Sequence, residues 1–267
     1  MNGISLPVIT KPSGIVLYHG PSQFDGKKIV VIATGFEASR SGNEKTGAVI
    51  QTWIMIDKEQ PITANNKGLD SSVCGNCKHR HFRSCYVNIA NGPYQVYQAW
   101  KDGKYPEIPL GAASYMFRGL FVRLGSFGDP ASVPINVWKS LTSYSAGWLG
   151  YTHQWKRCDT SYRQFCMASS DTIEEAQDAM KMGWKPFFVR RETDSLPQGF
   201  FECPASAEQG KRLSCDQCGV CKGGKYRKGQ GMPSIVAHGP SWKKIYFEKG
   251  MKLMRNKKKF VGVFTKA

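Results

Sequence analysis

Two groups of cysteines hold the residues of this chain best suited to chemistry. The denser group is Cys215, Cys218 and Cys221 in SCDQCGVC, with Cys203 upstream in FECPAS. A C-x2-C turn brings two thiolates onto one metal while the intervening backbone amides point at the sulfurs. Two such turns in succession deliver three ligands from one short loop. With Cys203 as the fourth ligand the set suits a zinc ion, or alternatively a 4Fe-4S cluster, which cysteine runs with a remote Cys-Pro also hold. Free or disulfide-bonded cysteines are the plainer alternative.

The other group is Cys74, Cys77 and Cys85 in SVCGNCKHRHFRSCYVN. Three thiolates need a fourth partner, which His79, His81, Cys158 or Cys166 can supply, or they leave a position open to substrate or water. The two histidines also fit a solvated basic loop or a nucleic-acid clamp, and Cys158 and Cys166 fit ordinary buried cysteines. Whether the chain carries one metal or two is left open by spacing alone.

A second constellation depends on where strands end. Past Phe121 apolar stretches alternate with helical ones. FVRLGSFGD leads to Asp129; Pro134 opens a helix with Ile135, Trp138 and Leu141 that Gly147 stops; WLGYTHQW carries His153; a helix spans Tyr162 to Cys166; MASS precedes Asp171; Thr172 and Glu175 form a capping box for TIEEAQDAMKMG; WKPFFVRR and PSIVAHG follow, the latter ending at His238. Strands separated by single helices predict a largely parallel α/β sheet, open or curled into a partial barrel. In such folds chemistry gathers at the carboxyl ends of strands. There Asp129, His153, Asp171 and His238 would support metal-assisted hydrolysis or general acid–base catalysis. Turn capping by Asp129, helix capping by Asp171 and structural histidines are the plainer alternative.

Three parts emerge: a strand-rich N-terminal part, residues 1–70; an α/β core with two cysteine-rich loops, 71–240; and a basic C-terminal segment, 241–267. In the first, KKIVVIAT and VIQTWIMI predict strands joined by a plain hairpin connection, since Lys45, Thr46 and Gly47 lack the glycine spacing of a phosphate loop. A helix is expected from Pro93 to Lys101, with Tyr94, Tyr97 and Trp100 as a packed stripe. The segment SWKKIYFEKGMKLMRNKKKF mixes strand and helix periods and receives no assignment.

Charge points to a partner. The 267 residues carry 37 Lys and Arg against 20 Asp and Glu, a formal net charge of +17, which favours a polyanion. From Lys211 to Lys259 there are 14 basic and two acidic residues, whereas residues 1–70 hold seven basic and six acidic. In GGKYRKGQG, Lys225, Arg227 and Lys228 surround Tyr226, a composition that tracks a phosphate backbone and stacks a base, or merely solubilises a surface. No apolar run reaches membrane-spanning length and the N-terminus lacks a signal-peptide pattern, so a cytoplasmic protein without a membrane partner is expected.

Four segments, SGNEKTGAVIQTW, SVCGNCKHR with CYVN, VRLGSFGDPASVP followed by GYTHQW, and FECPAS with SCDQCGVC, resemble an uncharacterised family of phage and prophage proteins across most of the chain. The resemblance implies a mobile-element origin, hence a host-cell cytoplasm, and an α/β fold. The chain is also distantly similar to radical-SAM enzymes, which combine a partial barrel with cysteine-held iron–sulfur clusters. Their C-x3-C-x2-C run is absent here, and the spacing through Cys74, Cys77 and Cys85 differs.

Two classes of function follow. One is a nucleic-acid-binding metalloprotein of phage DNA metabolism. The other is a metal-dependent enzyme acting at the strand ends: a nuclease, a replication nickase or an iron–sulfur radical-type enzyme. A nickase wants two histidines flanking an apolar residue on a strand; only His79 and His81, around Arg80, have that spacing.

Overall fold

The computed structural model describes residues 12–36, 45–210 and 212–264, with side chains as far as Met254. Nine strands form one sheet: β1 (Gly14–Pro21), β2 (Lys28–Thr34), β3 (Val49–Ile56), β4 (Phe121–Phe127), β5 (Gly147–Thr152), β6 (Met167–Ser170), β7 (Pro186–Arg190), β8 (Phe200–Glu202) and β9 (Met232–Val236). Their order is β1-β2-β3-β4-β5-β6-β7-β9-β8. The first three pair antiparallel; every pairing from β3 onward is parallel, so the sheet is mostly parallel and stays open rather than closing into a barrel. Because β3 pairs directly with β4, with Gln51 opposite Arg123, the N-terminal strands and the α/β core share this sheet.

Nine helices accompany it among the described residues: α1 (Pro61–Asn66), α2 (Ser71–Cys74), α3 (Lys78–Phe82), α4 (Gly92–Lys101), α5 (Leu110–Tyr115), α6 (Ile135–Thr142), α7 (Ile173–Lys181), α8 (Cys215–Cys218) and α9 (Ser241–Phe264). None is long and apolar enough to cross a membrane.

Successive side chains of a strand face opposite ways, and the sequence uses both faces. Ile29, Val31 and Ala33 of β2 join Val122, Leu124 and Ala168 in the main core, where Ala113 of α5, Val137, Trp138 and Leu141 of α6 and Ala179 of α7 also pack. Burying each valine, leucine or isoleucine side chain among them contributes roughly 1.5–3 kcal/mol. On the opposite face Val30 and Ile32 meet Val16, Met55 and Phe127 under Val96 and Tyr97 of α4. Of the aromatic stripe on α4, Tyr97 is buried and Trp100 packs beside it, but Tyr94 is exposed. Three-residue spacing falls short of a helical turn, so the stripe drifts out of the core.

Local signals acted with small differences. Helix α6 starts after Pro134 but ends at Thr142, where the Thr142 and Ser143 hydroxyls donate to the carbonyls of Trp138 and Ser140; Gly147 instead opens β5. The stretch before Cys166 is a 3-10 turn, Thr160–Gln164, capped by Asp159. Thr172 caps α7 by accepting from the Glu175 amide, while the Glu175 carboxylate accepts from Asp171 N rather than from the cap residue itself. The segment without a sequence assignment is α9, whose Lys243, Phe247 and Met251, four apart, turn inward against α3.

Candidate functional site: a cysteine-lined cavity

On the far side of the sheet from α5, α6 and α7 lies a cavity of about 400 Å³. Alternation selects its walls: Arg123 and Gly125 of β4, Leu149 and Tyr151 of β5, Ser169 of β6, Phe187 and Val189 of β7, and Ile235 of β9 all face it. Helix α9 adds Lys243, Lys244 and Phe247. Cys74, Cys77, Cys85, Cys203, Cys215, Cys218 and Cys221 line it, as do Asp129, His153, Asp171 and His238. Cys158 and Cys166 lie outside it, packed with the main core. No disulfide joins any of the nine cysteines.

The first cysteine turn is held from the sheet. Gln154, just beyond β5, donates from Nε2 to the Cys74 carbonyl at 3.2 Å and accepts from Asn76 N at 3.3 Å. Asp129 N donates to the Val73 carbonyl at 2.7 Å, and Arg80 reaches the Gly75 carbonyl and Asp70. Burial pushes the Cys74, Cys77 and Cys85 thiols up, and for Cys74 the other two sulfurs raise it further.

The second cysteine loop is held by the connection between β2 and β3. Cys215 N donates to the Lys45 carbonyl at 3.0 Å, and Ala48 N donates to Asp216 Oδ2 at 3.1 Å. Ser214 and Gln217 form a capping box that winds Cys215–Cys218 into a single turn, which Gly219 ends with φ 62°. Cys203 enters from the end of β8, with its amide on the Ser234 carbonyl at 2.7 Å. Burial again raises the Cys203, Cys215 and Cys221 thiols; the other cysteines of the set add to it, and the Tyr151 hydroxyl bonds to the Cys221 sulfur.

A single zinc ion demands sulfurs drawn together: with Zn–S near 2.3 Å, the edge of the tetrahedron is about 3.8 Å. No three of these sulfurs lie within 4.8 Å of one another; the one such group of possible ligands among the described residues is His79, His153 and Asp171. Part of that group is already engaged, although Asp171 Oδ1 is buried without a partner. His79 Nε2 lies 3.1 Å from Asp171 Oδ2 and its Nδ1 2.7 Å from Ser84 Oγ, while the Lys78 ammonium sits 2.8 Å from the same Asp171 oxygen and 2.7 Å from Glu175. A dication there would meet the repulsion of an ammonium on the same carboxylate. Against the burial that raises it, His79 and Lys78 hold the Asp171 carboxyl well below the usual carboxylate range; burial and His79 push His153 down to about 3. The chain Ser84–His79–Asp171–Lys78–Glu175 ties the segment before Cys85 to β6 and α7.

Asp129 is likewise occupied. Its carboxylate accepts from Ala131 N, Thr152 Oγ1 and His153 N at 3.0, 2.7 and 2.8 Å, and burial, opposed by those bonds, moves it up to about 6. His238 has Nε2 at 3.3 Å from Lys45 Nζ, its ring centroid 5.3 Å from that of Tyr86, and a buried, unpartnered Nδ1. His81 is exposed on α3 outside the cavity.

The basic residues Lys225, Arg227 and Lys228 are exposed, away from the cavity. Tyr226 between them is half-buried against the cluster of Met167, Phe187 and Cys203, so its ring packs inward. Sequence reasoning passed over Arg123, Tyr86, Gln154 and Lys243, and set Lys45 aside with the rejected phosphate loop. A charged residue at an inner position of the otherwise apolar FVRLG was the visible signal for Arg123; the others sit in loops or in α9, whose contacts spacing does not disclose. Comparison with protein-family models, with curated protein sequences and with solved structures returns no match for this chain.

Proposed function

We propose that this protein is an iron–sulfur enzyme acting on a small molecule inside the cavity. The observation that carries the reading is the gathering of seven cysteines, from two distant stretches of sequence, around one cavity of about 400 Å³, with sulfurs spread more widely than one ion allows. The volume falls within the range of small-molecule sites. Four thiolates at Cys203, Cys215, Cys218 and Cys221 suit a fully ligated 4Fe-4S cluster; three at Cys74, Cys77 and Cys85 suit a cluster with one iron open to the cavity. Burial disfavours free thiolates at Cys74, Cys77, Cys85, Cys203, Cys215 and Cys221, and coordination supplies the compensating charge.

The test is purification without oxygen, followed by iron, sulfide and zinc analysis alongside the visible spectrum. Iron and sulfide with a broad brown absorption are expected. Zinc at one or two equivalents with a colourless protein would overturn the reading and restore a structural-zinc role.

A second reading, nucleic-acid binding, draws on a separate surface. Burial and the nearby charges of Lys222 and Arg227 lower Lys185, marking a knot of cations beside exposed Lys225 and Lys228. Replacing Lys225, Arg227 and Lys228 with Ala would then weaken binding to DNA or RNA and flatten its salt dependence. Unchanged binding removes this surface from consideration.

A further inference from the structure

Arg123 occupies the inner part of β4, between fully buried Val122 and Leu124, and alternation sends it to the cavity face. Drawing a guanidinium into the fold is costly unless a charge or a set of acceptors meets it. Among the described residues Arg123 has no carboxylate within ion-pair distance: Nη2 donates to the Tyr86 hydroxyl, the guanidinium carbon stands 5.9 Å from the centre of the Tyr86 ring, and Nε is shut off from solvent without a partner. Neither carboxylate of the cavity wall pairs with Arg123: Asp129 is held by Thr152 and two backbone amides, and Asp171 Oδ2 by Lys78 and His79, with Asp171 Oδ1 unpartnered.

Further positive charge converges on the same region. Lys45 Nζ lies 3.3 Å from His238 Nε2, and the His238 ring is the one that meets Tyr86. Four separate segments supply these groups: the loop before β3, the stretch after α3, β4, and the residues after β9. Tyr86 lines the cavity and is 44% exposed. Beyond them the wall turns apolar at Leu149, Phe187, Val189 and Ile235. A guanidinium fork beside an ammonium matches an oxyanion, and a low-dielectric wall strengthens that attraction.

We propose that Arg123 and Lys45, with Tyr86 and His238 between them, grip the oxyanion head of the cavity's ligand, a small organic carboxylate or phosphate whose apolar body lies against Leu149, Phe187 and Val189. This assignment rests on the cavity being the small-molecule site, and holds whichever metal the cysteines bind. The competing role for Arg123 is to balance the charge of a centre at the second cysteine set, because Cys215 is among the groups acting on it.

Calorimetric titration of the full chain with benzoate, phenyl phosphate and neutral benzamide, with iron and sulfide measured on every sample, separates these. Benzoate or phenyl phosphate is expected to bind at one equivalent and benzamide not at all; the tighter of the two identifies the head as carboxylate or phosphate. Arg123→Gln should weaken the anion at least about tenfold with iron and sulfide unchanged. Tyr86→Phe, which keeps every charge and should fold if Arg123→Gln does not, should weaken it by a smaller factor. The assignment is overturned if wild type binds neither anion, if benzamide binds equally well, if both variants bind as wild type does, or if Arg123→Gln loses iron and sulfide. Anion binding by a protein without iron would leave this site standing and remove only the iron–sulfur reading.

Discussion

Gln154 and Cys74 are joined across 80 positions by a hydrogen bond from the glutamine Nε2 to the cysteine carbonyl, at 3.2 Å. The same side chain accepts from Asn76, so one amide group spans the C-x2-C turn. Gly75 lies so close beneath it that a Cβ there would meet Gln154 Cδ at 2.7 Å. Gln154→Leu keeps the volume and leaves the half-buried Cys74 carbonyl and the exposed Asn76 amide without this partner, at about 0.5–1.5 kcal/mol each because water partly replaces it. The expected result is a lower denaturation midpoint and reduced iron at the first cysteine set, with Gln154→Glu milder because its acceptor survives. Denaturant melts and metal analysis check this; a midpoint equal to wild type would show that the turn holds itself.

The second cysteine loop has a comparable dependence on Gly47. Its φ of 71° suits glycine, and a Cβ would come within 2.2 Å of Asp216 Oδ1, the residue that accepts from Ala48. Gly47→Ala therefore adds backbone strain to a clash with α8, for a combined cost on the order of 2 kcal/mol. Asp216→Ala removes the clash. If the contact matters as argued, the double variant recovers part of the stability that Gly47→Ala loses, which thermal melts of the three proteins measure.

The cysteine groups and the parallel sheet were legible because both rest on local regularity: fixed spacing in SCDQCGVC, and apolar stretches such as FVRLG and PSIVA cut by helices. Convergence was not legible. Nothing in spacing says that Cys74 and Cys215 share a cavity, since that depends on the strand order carrying β3 beside β4 and β9 between β7 and β8. The strand-end positions of Asp129 and Asp171 were readable, yet their engagement with Thr152 and Lys78 was not, because those partners come from other segments. Helix α9 stayed hidden for a similar reason: its inward face includes Lys243, whose ammonium donates to the Val87 carbonyl at 2.6 Å, and a buried lysine disguises the apolar period.

The position of His238 sets a pH dependence. Burial and the Lys45 ammonium push its imidazole down to about 4, below the ordinary value near 6.5. An unfolded chain then takes up a proton more readily than the folded one. Its contribution is therefore complete above about pH 6.5 and is lost as pH falls through that value toward 4, amounting to about 3 kcal/mol at most. His238→Gln should flatten stability between pH 6.5 and 4 relative to wild type. An imidazole titrating near 6.5 by NMR would contradict the burial that the geometry describes.

Cys158 and Cys85 offer the sharpest contrast between structural and ligand cysteines. Cys85 lines the cavity, while Cys158 sits outside it beside Tyr162, its thiol pushed up to about 12 by burial and by Asp129. If each cysteine set binds its own centre, Cys85→Ser loses about half of the iron and Cys215→Ser the other half, because a missing thiolate releases the metal it helped to hold. Cys158→Ser keeps all of it, with a change of at most about 1 kcal/mol in stability for a half-buried site. Iron and sulfide counts on the three variants, purified together without oxygen, decide the matter. Equal loss from Cys85→Ser and Cys215→Ser to near zero would instead mean one shared centre, and loss from Cys158→Ser would bring the fourth ligand of the first set from beyond the cavity wall.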